Sequence, residues 1–397
     1  MKRLRRPATA TSPAFDIGYV RTGPRERTPV LVLPGGPGVA SIRVYSSFRA
    51  AAAKRGLDVL MADHRGVANS RRDLQGNDLP PEAVTLEAAI DDLAALLDAE
   101  RIDRVVVAGA SYGTTLAQGF GVRYPGRVAG MVLDSTVLTA QDHLEVRRYA
   151  RAKLWEGDDP ALADLAEKIR ILVQRDGRDA VALGDTVRLM YEFGGRDLLE
   201  RYLEQEVRGQ AGVSDKLVAG LLNNELLENT PGLMEFDLVG RIAFHELNYH
   251  PEPDDHIFDP APAMARPAAA HPPFAGEPFD FPAELPQFEW LTAVISGARD
   301  LRTPRSVAER TVSLLPDGVL VPVTEMGHSA LDTHFEVFID VAEAVRDGDR
   351  ARLAELARTG CAGVRRRGSS GLLGPILSTV LAAEKPLAPI LRLAKRR

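Results

Sequence analysis

A serine stands at the centre of the pattern Gly109-Ala-Ser111-Tyr-Gly113, between an apolar run and a helix-like segment. A serine hydroxyl becomes a nucleophile only when a nearby base takes its proton, and that base needs an orienting acid. Gly-x-Ser-x-Gly between a strand and a helix is typical of a sharp, strained turn that exposes such a serine. Side chains at Gly109 and Gly113 would collide with neighbouring elements in that turn. We therefore expect Ser111 to be the nucleophile of an acyl transfer.

An acid and a base with suitable positions follow later in the chain. Asp300 comes just after the strand-like run 293–296, and His328 follows the next strand-like run. Because the carboxyl ends of parallel strands meet at one edge of a sheet, these residues are expected to reach Ser111 there. The sequence predicts that His328 takes the Ser111 proton while Asp300 orients the imidazole.

Two other residues compete for these roles. Asp134 follows the strand-like run after the serine turn and is an alternative acid, although a capping role is favoured for it. His334 lies six residues beyond His328 and is expected at the start of a helix. The remaining histidines lack a strand-end position, and none shows the spacing of a metal site. We predict no metal and no cofactor.

A glycine-rich loop is the second candidate element of chemistry. Pro34-Gly35-Gly36-Pro37-Gly38 follows the apolar run Val30–Leu33. Attack on a carbonyl builds negative charge on oxygen, which backbone N–H groups must stabilise. We expect these donors to be the N–H groups of Gly36 and of Tyr112, the residue after the serine. The alternative for the loop is an ordinary turn.

The elements that position these residues alternate between strand-like and helix-like patterns. Apolar runs at 30–33, 57–62, 104–108, 128–133, 290–296 and 318–324 alternate with helical segments such as 86–97 and 335–347. Nearly continuous apolar strands joined by helices predict an α/β fold, a mostly parallel sheet with helices on both faces. The pattern changes between about 137 and 287, where charged helix-like stretches and a proline-dense segment occur. We therefore predict a core of residues 1–136 and 288–360 and a mostly helical cap of residues 137–287.

Residues 361–397 form a third predicted segment, a basic tail. Its apolar residues recur at helical spacing, which allows a helix on an anionic membrane surface. The favoured alternative is a disordered or locally docked end, with Pro375, Pro386 and Pro389 breaking any long helix.

Composition narrows the classes of function. A net charge of −6 argues against a nucleic-acid binder. The single cysteine, Cys361, excludes an internal disulfide framework and suits a reducing compartment. The basic start of the chain lacks the apolar stretch of a secretory signal, and no run is long enough to span a membrane. We expect a cytoplasmic protein.

As a set, the motifs resemble the proline iminopeptidase and tripeptidyl aminopeptidase family of α/β-hydrolases. They are Pro-Gly-Gly-Pro-Gly at 34–38, Asp-His-Arg-Gly at 63–66, the serine turn at 109–117, Asp300 with Thr303-Pro304, and Gly327-His328-Ser329. The resemblance covers about residues 28–136 and 288–345. It implies an α/β-hydrolase fold with a helical cap, and a serine exopeptidase that releases N-terminal residues, often proline. It assigns the triad to Ser111, Asp300 and His328.

The chain departs from that family at Pro34, where histidine is common, and at His64, where glutamine is common. Members hold the substrate amine with cap carboxylates, and the segment 242–249 loosely resembles one that supplies such a glutamate, here Glu246. The alternative for Glu246 is a solvated helix charge.

Since fold does not fix substrate, an esterase or amide hydrolase and a non-catalytic binding protein stay open. The expected partner is a peptide or a small amide or ester, and the oligomeric state is left open.

Overall fold

A single eight-stranded sheet organises the chain. The computed structural model describes residues 1–209, 220 and 230–394, with side chains as far as 383. The strands are β1 Lys2–Arg6, β2 Phe15–Thr22, β3 Val30–Leu33, β4 Val59–Ala62, β5 Val105–Ala110, β6 Val128–Asp134, β7 Thr292–Gly297 and β8 Gly318–Val323. Their order across the sheet is β1-β2-β4-β3-β5-β6-β7-β8.

The sheet is parallel from β4 to β8, and β2 is antiparallel to both β1 and β4. This arrangement confirms the predicted mostly parallel α/β fold. The two antiparallel strands at the edge were not predicted. β1 has the sequence Lys-Arg-Leu-Arg-Arg, and its side chains are largely exposed. A strand with one apolar residue lacks the apolar pattern by which strands are recognised in a sequence.

The apolar strands are buried on both faces, because successive side chains point to opposite sides of a sheet. Val105 and Val107 belong to one apolar cluster, whereas Val106 and Ala108 belong to another on the opposite face. All six residues of β5 are buried. The strand that leads to the serine is therefore fixed from both sides.

Helices cover the two faces and fill the long insertion between β6 and β7. They are α1 Ser41–Val44, α2 Ser46–Lys54, α3 Leu86–Ala99, α4 Tyr112–Arg123, α5 Asp142–Arg151, α6 Ala163–Arg170, α7 Ala180–Val207, α8 Phe236–Arg241, α9 Ala261–Ala268, α10 Phe281–Glu284, α11 Arg305–Leu314, α12 Ala330–Thr333, α13 Phe335–Asp347, α14 Arg350–Thr359 and α15 Leu373–Ala394. Non-helical backbone at Gly195, with φ 70° and ψ −165°, interrupts α7. Three π-helical turns, Ala152–Glu156, Ile171–Arg175 and Ile242–Glu246, continue α5, α6 and α8.

The insertion contributes to two apolar clusters. Most of its buried side chains, such as Leu165 and Tyr202, form a third cluster with each other. Phe236, Val239 and Phe244 instead join the cluster that covers one face of the sheet. The division at 137 and 287 stays a prediction, and the structure shows that packing crosses it.

The segment after 360 docks on α7 through α15. Leu377 and Leu381 are each 1% exposed and lie in the third cluster. The amide of Gln205 donates to the carbonyl of Leu381 at 3.0 Å.

The expectation that prolines would break a long helix here was wrong. Pro375 lies in the first turn, where backbone N–H groups have no helical acceptor, and packing against α7 stabilises the helix. Two leucines of the membrane-surface alternative, Leu377 and Leu381, are thus already buried by protein, while Leu372 is 72% exposed. No helix among the described residues is long and apolar enough to span a membrane.

Candidate active site

Ser111 lies between β5 and α4 in a strained backbone conformation, with φ 52° and ψ −122°. The glycines beside it are required by close packing. A Cβ at Gly109 would lie 2.2 Å from the carbonyl oxygen of Gly113, and a Cβ at Gly113 would lie 1.9 Å from that of Leu33. Real Cβ atoms do not approach backbone atoms so closely. The two glycines therefore allow the tight turn that holds the Ser111 hydroxyl in place. A larger residue at either position would displace it.

The structure brings Ser111, His328 and Asp300 into one hydrogen-bonded chain. Nε2 of His328 lies 2.9 Å from Oγ of Ser111, and Nδ1 lies 3.1 Å and 3.2 Å from the two carboxylate oxygens of Asp300. Asp300 follows β7 and His328 follows β8, so all three lie at the carboxyl edge of the sheet. This is the geometry in which a histidine can take the proton of a serine while an acid orients its ring.

Backbone donors hold the Asp300 carboxylate in place. Oδ1 accepts from the N–H groups of Arg302 and Thr303, both at 2.9 Å, and Oδ2 accepts from the Thr303 hydroxyl at 2.8 Å. Burial opposes ionisation of this fully buried group, but His328 and the Thr303 donors outweigh it and hold the pKa of Asp300 below its usual value. Asp300 is therefore charged at neutral pH and can stabilise an imidazolium.

The pKa of His328 responds in the opposite direction. Burial disfavours the protonated ring, but the charge and hydrogen bond of Asp300 outweigh burial and raise the pKa of His328 above its ordinary value. A base with a raised pKa accepts the serine proton more readily.

Asp134, the alternative acid, is fully buried at the end of β6 and has different partners. Its carboxylate accepts from the N–H groups of Ala330 and Leu331, each at 2.9 Å, just after His328 in the chain. Its backbone carbonyl accepts from the N–H of Ser111 at 2.8 Å. Burial raises the pKa of Asp134 to about 6, against the effect of these donors. Asp134 thus ties together the two segments that carry the nucleophile and the base, while Asp300 bonds the imidazole.

The glycine loop lies against the nucleophile. A Cβ at Gly35 would lie 3.1 Å from Cβ of Ser111. Gly36 has φ +119°, and a Cβ there would lie 2.7 Å from the N atom of Gly38. Tyr112 is the first residue of α4, so its N–H has no acceptor within that helix. These positions suit two oxyanion donors, and the donor roles of Gly36 and Tyr112 stay predictions.

The side chain of Tyr112 is buried in the core. Its Oη lies 3.0 Å from Nε2 of His64. Burial lowers the pKa of His64 to about 4, so its ring is neutral. Both residues line a cavity of about 40 Å³ with Pro34, Gly35 and Asp63. The sequence had indicated no role for His64, because a single histidine next to an arginine has no distinctive pattern.

Glu246 is not joined to the Ser111–His328–Asp300 chain by any hydrogen bond among the described residues. One of its oxygens accepts from the N–H of Leu86 at the start of α3, at 2.9 Å, and the other pairs with Arg241 at 2.9 Å. Burial raises its pKa above the ordinary value. The carboxylate thus stabilises a helix N-terminus, a role that neither sequence-based alternative foresaw. Its contact with a substrate amine stays a prediction.

His334 and Cys361 lie outside the hydrogen-bonded chain. Burial, followed by the charges of Arg366 and Arg299, lowers the pKa of His334 to about 4. Cys361 is a buried free thiol whose pKa burial raises to about 11, which keeps it protonated. Among the residues with described side chains, no group of three or more His, Cys, Asp or Glu could hold a metal ion.

Comparison with known proteins agrees with this architecture. A family model described as alpha/beta hydrolase fold matches residues 28–169. A proline iminopeptidase of Heyndrickxia coagulans is 25% identical over 287 residues, which cover 66% of this chain and 90% of that protein.

Solved structures show the same fold. The proline iminopeptidase of Mycobacterium smegmatis superposes with a TM-score of 0.50 at 20% identity, over 90% of this chain and 99% of that one. VinJ superposes with a TM-score of 0.50 at 18% identity, over 87% and 99%.

Proposed function

We propose that this protein, an α/β-hydrolase related to the proline iminopeptidases, is a serine aminopeptidase that releases proline or small N-terminal residues from peptides. The observation that carries the proposal is the continuous hydrogen-bonded chain from Ser111 through His328 to Asp300. The similarity to the H. coagulans proline iminopeptidase supports the peptide substrate. The lone buried thiol, Cys361, supports a reducing cytoplasm as its location.

The proposed reaction has two acyl-transfer steps. Nε2 of His328 takes the proton of Ser111 as Oγ attacks the carbonyl carbon of the first peptide bond. The N–H groups of Gly36 and Tyr112 stabilise the oxyanion. His328 then gives its proton to the leaving amine as the C–N bond breaks, which leaves an acyl-serine. In the second step His328 activates water, which attacks the ester carbon and releases the acid product with Ser111 restored.

A fluorophosphonate probe tests the serine mechanism directly. We expect covalent labelling at Ser111, abolished in Ser111→Ala. The matched control is Ser313→Ala, because that hydroxyl is on the surface and, among the described residues, donates to the carbonyl of Arg310 alone. Absence of labelling, or labelling that persists in Ser111→Ala, would refute the serine hydrolase mechanism.

One observation favours a second candidate, a small-molecule esterase or amide hydrolase. The Glu246 carboxylate is already bonded to Leu86 and Arg241, so it is not a free group for a substrate amine. A panel of aminoacyl arylamides, their N-acetylated forms and simple aryl esters separates the candidates. The aminopeptidase requires that acetylation abolish arylamide hydrolysis. Hydrolysis of esters alone, without dependence on a free amine, would favour the esterase.

A further inference from the structure

Two arginines near His328 form no ion pair with any carboxylate whose side chain the structure describes, unlike most arginines of this protein. Nη1 of Arg299 is buried and makes no hydrogen bond to any described residue. Arg366 donates from Nη1 to the carbonyl of Phe193 at 2.5 Å. Neither forms an ion pair within 4 Å in the part of the chain whose side chains are described. Arg299 is the more unusual of the two, because a buried donor without an acceptor is destabilising.

The two guanidinium groups are close enough to repel each other. Burial, followed by the positive charge of Arg299, lowers the pKa of Arg366. The same two charges act with burial on His334, which is therefore neutral and leaves the excess charge on the arginines. Glu325 attracts Arg366 but is exposed and forms no ion pair with it. The cluster carries positive charge that no described residue neutralises at close range.

Nearby carboxylates are already committed. Glu192 lies beside His328, but its oxygens accept from the N–H of Leu301 at 3.1 Å and from Nε of Arg302 at 3.0 Å. Asp300 is saturated by His328 and by the Thr303 donors. Neither can turn to Arg299 without losing these bonds.

A small cavity is lined by both Arg366 and the base. Its volume is about 10 Å³, and His328, His334 and Arg366 are among its lining residues. Arg299 approaches the same region from the residue before Asp300, with its guanidinium against the backbone break in α7. A Cβ at Gly195 would lie 2.7 Å from Cζ of Arg299. A space of this size admits roughly one small polar atom, which suits one oxygen of an anionic group rather than a whole side chain.

We propose that Arg299 and Arg366 bind the carboxylate of the leaving residue, so that dipeptides are the preferred substrates. This inference rests on the proposed aminopeptidase function. His328 must return its proton to the leaving amine, so that nitrogen lies at Nε2 when the bond breaks. In a dipeptide the carboxylate is only two bonds from that nitrogen. A leaving amino acid therefore brings its negative charge to the cavity that borders His328.

The substrate test compares three matched compounds with the same N-terminal residue. They are a dipeptide, its C-terminal amide, and an amide with aspartate in the second position. Because a charge-assisted hydrogen bond is worth roughly 1.5–3 kcal/mol, we expect kcat/KM for the dipeptide to exceed that for the amide by about 10-fold or more. If kcat/KM for the aspartyl amide equals that for the dipeptide, a side-chain carboxylate can occupy the site, and the dipeptide preference is overturned. Equal rates for all three would overturn the site.

Variants assign the discrimination to residues. In Arg366→Gln and in Arg299→Gln, the dipeptide-to-amide ratio should fall to near 1. The matched control is Arg365→Gln, which removes the same charge from the neighbouring, exposed position and should keep the wild-type ratio. A ratio that stays at the wild-type value in both Arg366→Gln and Arg299→Gln, with folding checked by thermal melting, contradicts the assignment.

A second measurement does not depend on peptide cleavage. Acetate, titrated at constant ionic strength, should raise the Tm of the wild-type protein and of Arg365→Gln but not of Arg366→Gln. If acetate acts in this way and no peptide is cleaved, the carboxylate site stands while the dipeptide preference and the proposed aminopeptidase function both fail. If peptides are cleaved without discrimination and acetate has no effect, the site fails and the aminopeptidase stands.

Discussion

Replacing Asp300 by asparagine should move the ring proton of neutral His328 from Nδ1 to Nε2 without changing the shape of the site. Oδ1 of Asp300 accepts two backbone N–H groups, from Arg302 and Thr303. An asparagine must keep its carbonyl oxygen there, because its NH₂ group would face two donors. The NH₂ group therefore takes the position of Oδ2, 3.1 Å from Nδ1 of His328. The other oxygen position, 3.2 Å from Nδ1, is already occupied by the two backbone N–H groups. Nδ1 therefore acts as an acceptor, which places the ring proton on Nε2, facing Ser111.

The expected loss follows from this tautomer. A base that already carries a proton on Nε2 cannot take the serine proton, and the equivalent change in a Ser-His-Asp protease costs about 10⁴ in kcat. That factor corresponds to about 5 kcal/mol of transition-state stabilisation. The imidazolium also loses its buried counter-charge, so the pKa of His328 should fall from its raised value.

Asp134→Asn is the matched control, because Asp134 is also fully buried and lies near the same turn. Its amide would lose an acceptor for the N–H of Ala330 or Leu331. We expect a loss of about 1–3 kcal/mol in unfolding free energy and a fall in kcat of less than about 10-fold. This change leaves the Asp300–His328 contact intact.

The assay is steady-state hydrolysis of the best arylamide or ester, normalised to active sites, together with thermal melts of each variant. Retention of kcat within 10-fold in Asp300→Asn would refute the tautomer argument. A loss in Asp134→Asn as large as that in Asp300→Asn would transfer the orienting role to Asp134.

The remaining predictions concern pH, packing and the cap. Because activity requires neutral His328 and Asp300 raises its pKa, kcat/KM should fall as pH drops through a value above 6.5, and a limb at or below 6.5 would contradict the charge coupling. Gly113→Ala should lower the unfolding free energy by more than about 3 kcal/mol, because the new methyl meets backbone. Gly126→Ala, with nothing within 4 Å, should change it by less than about 0.5 kcal/mol, and similar melts for the two variants would disprove the packing argument. Glu246→Gln should cost about 1 kcal/mol of stability and leave the arylamide KM unchanged, whereas a raised KM would support the predicted amine-binding role of Glu246.

The parts of the fold that could be predicted are those whose residue pattern lies within one short segment of the sequence. β3 was expected and found at Val30–Leu33, and α13 was expected and found at Phe335–Asp347. Ser111, Asp300 and His328 were located by their positions after apolar strands, and such positions converge in a parallel sheet. The glycines at 109 and 113 were interpretable because their packing partners belong to the same turn or to the neighbouring strand.

The parts that could not be predicted depend on contacts between distant segments. β1 pairs with β2 through backbone hydrogen bonds, which its basic sequence does not reveal. Glu246 reaches the start of α3, a segment 160 residues away in the chain. The docking of Leu377 on α7 needs a partner surface that periodicity alone does not identify. Arg299 and Arg366 have no common motif, and only the folded chain brings their charges together.

The sharing of one apolar cluster by Phe236, Val239 and residues of the sheet such as Leu31 limits how this enzyme can be re-engineered. A donor segment substituted for the whole of residues 137–287 would remove side chains that shield the sheet from water, so the chimera would lose stability together with its substrate range. A graft that retains 236–247 and replaces only the helices of the third cluster would preserve that shield. The same constraint applies in evolution, where substrate preference can change through the helices of the third cluster while residues 236–247 stay packed against the sheet.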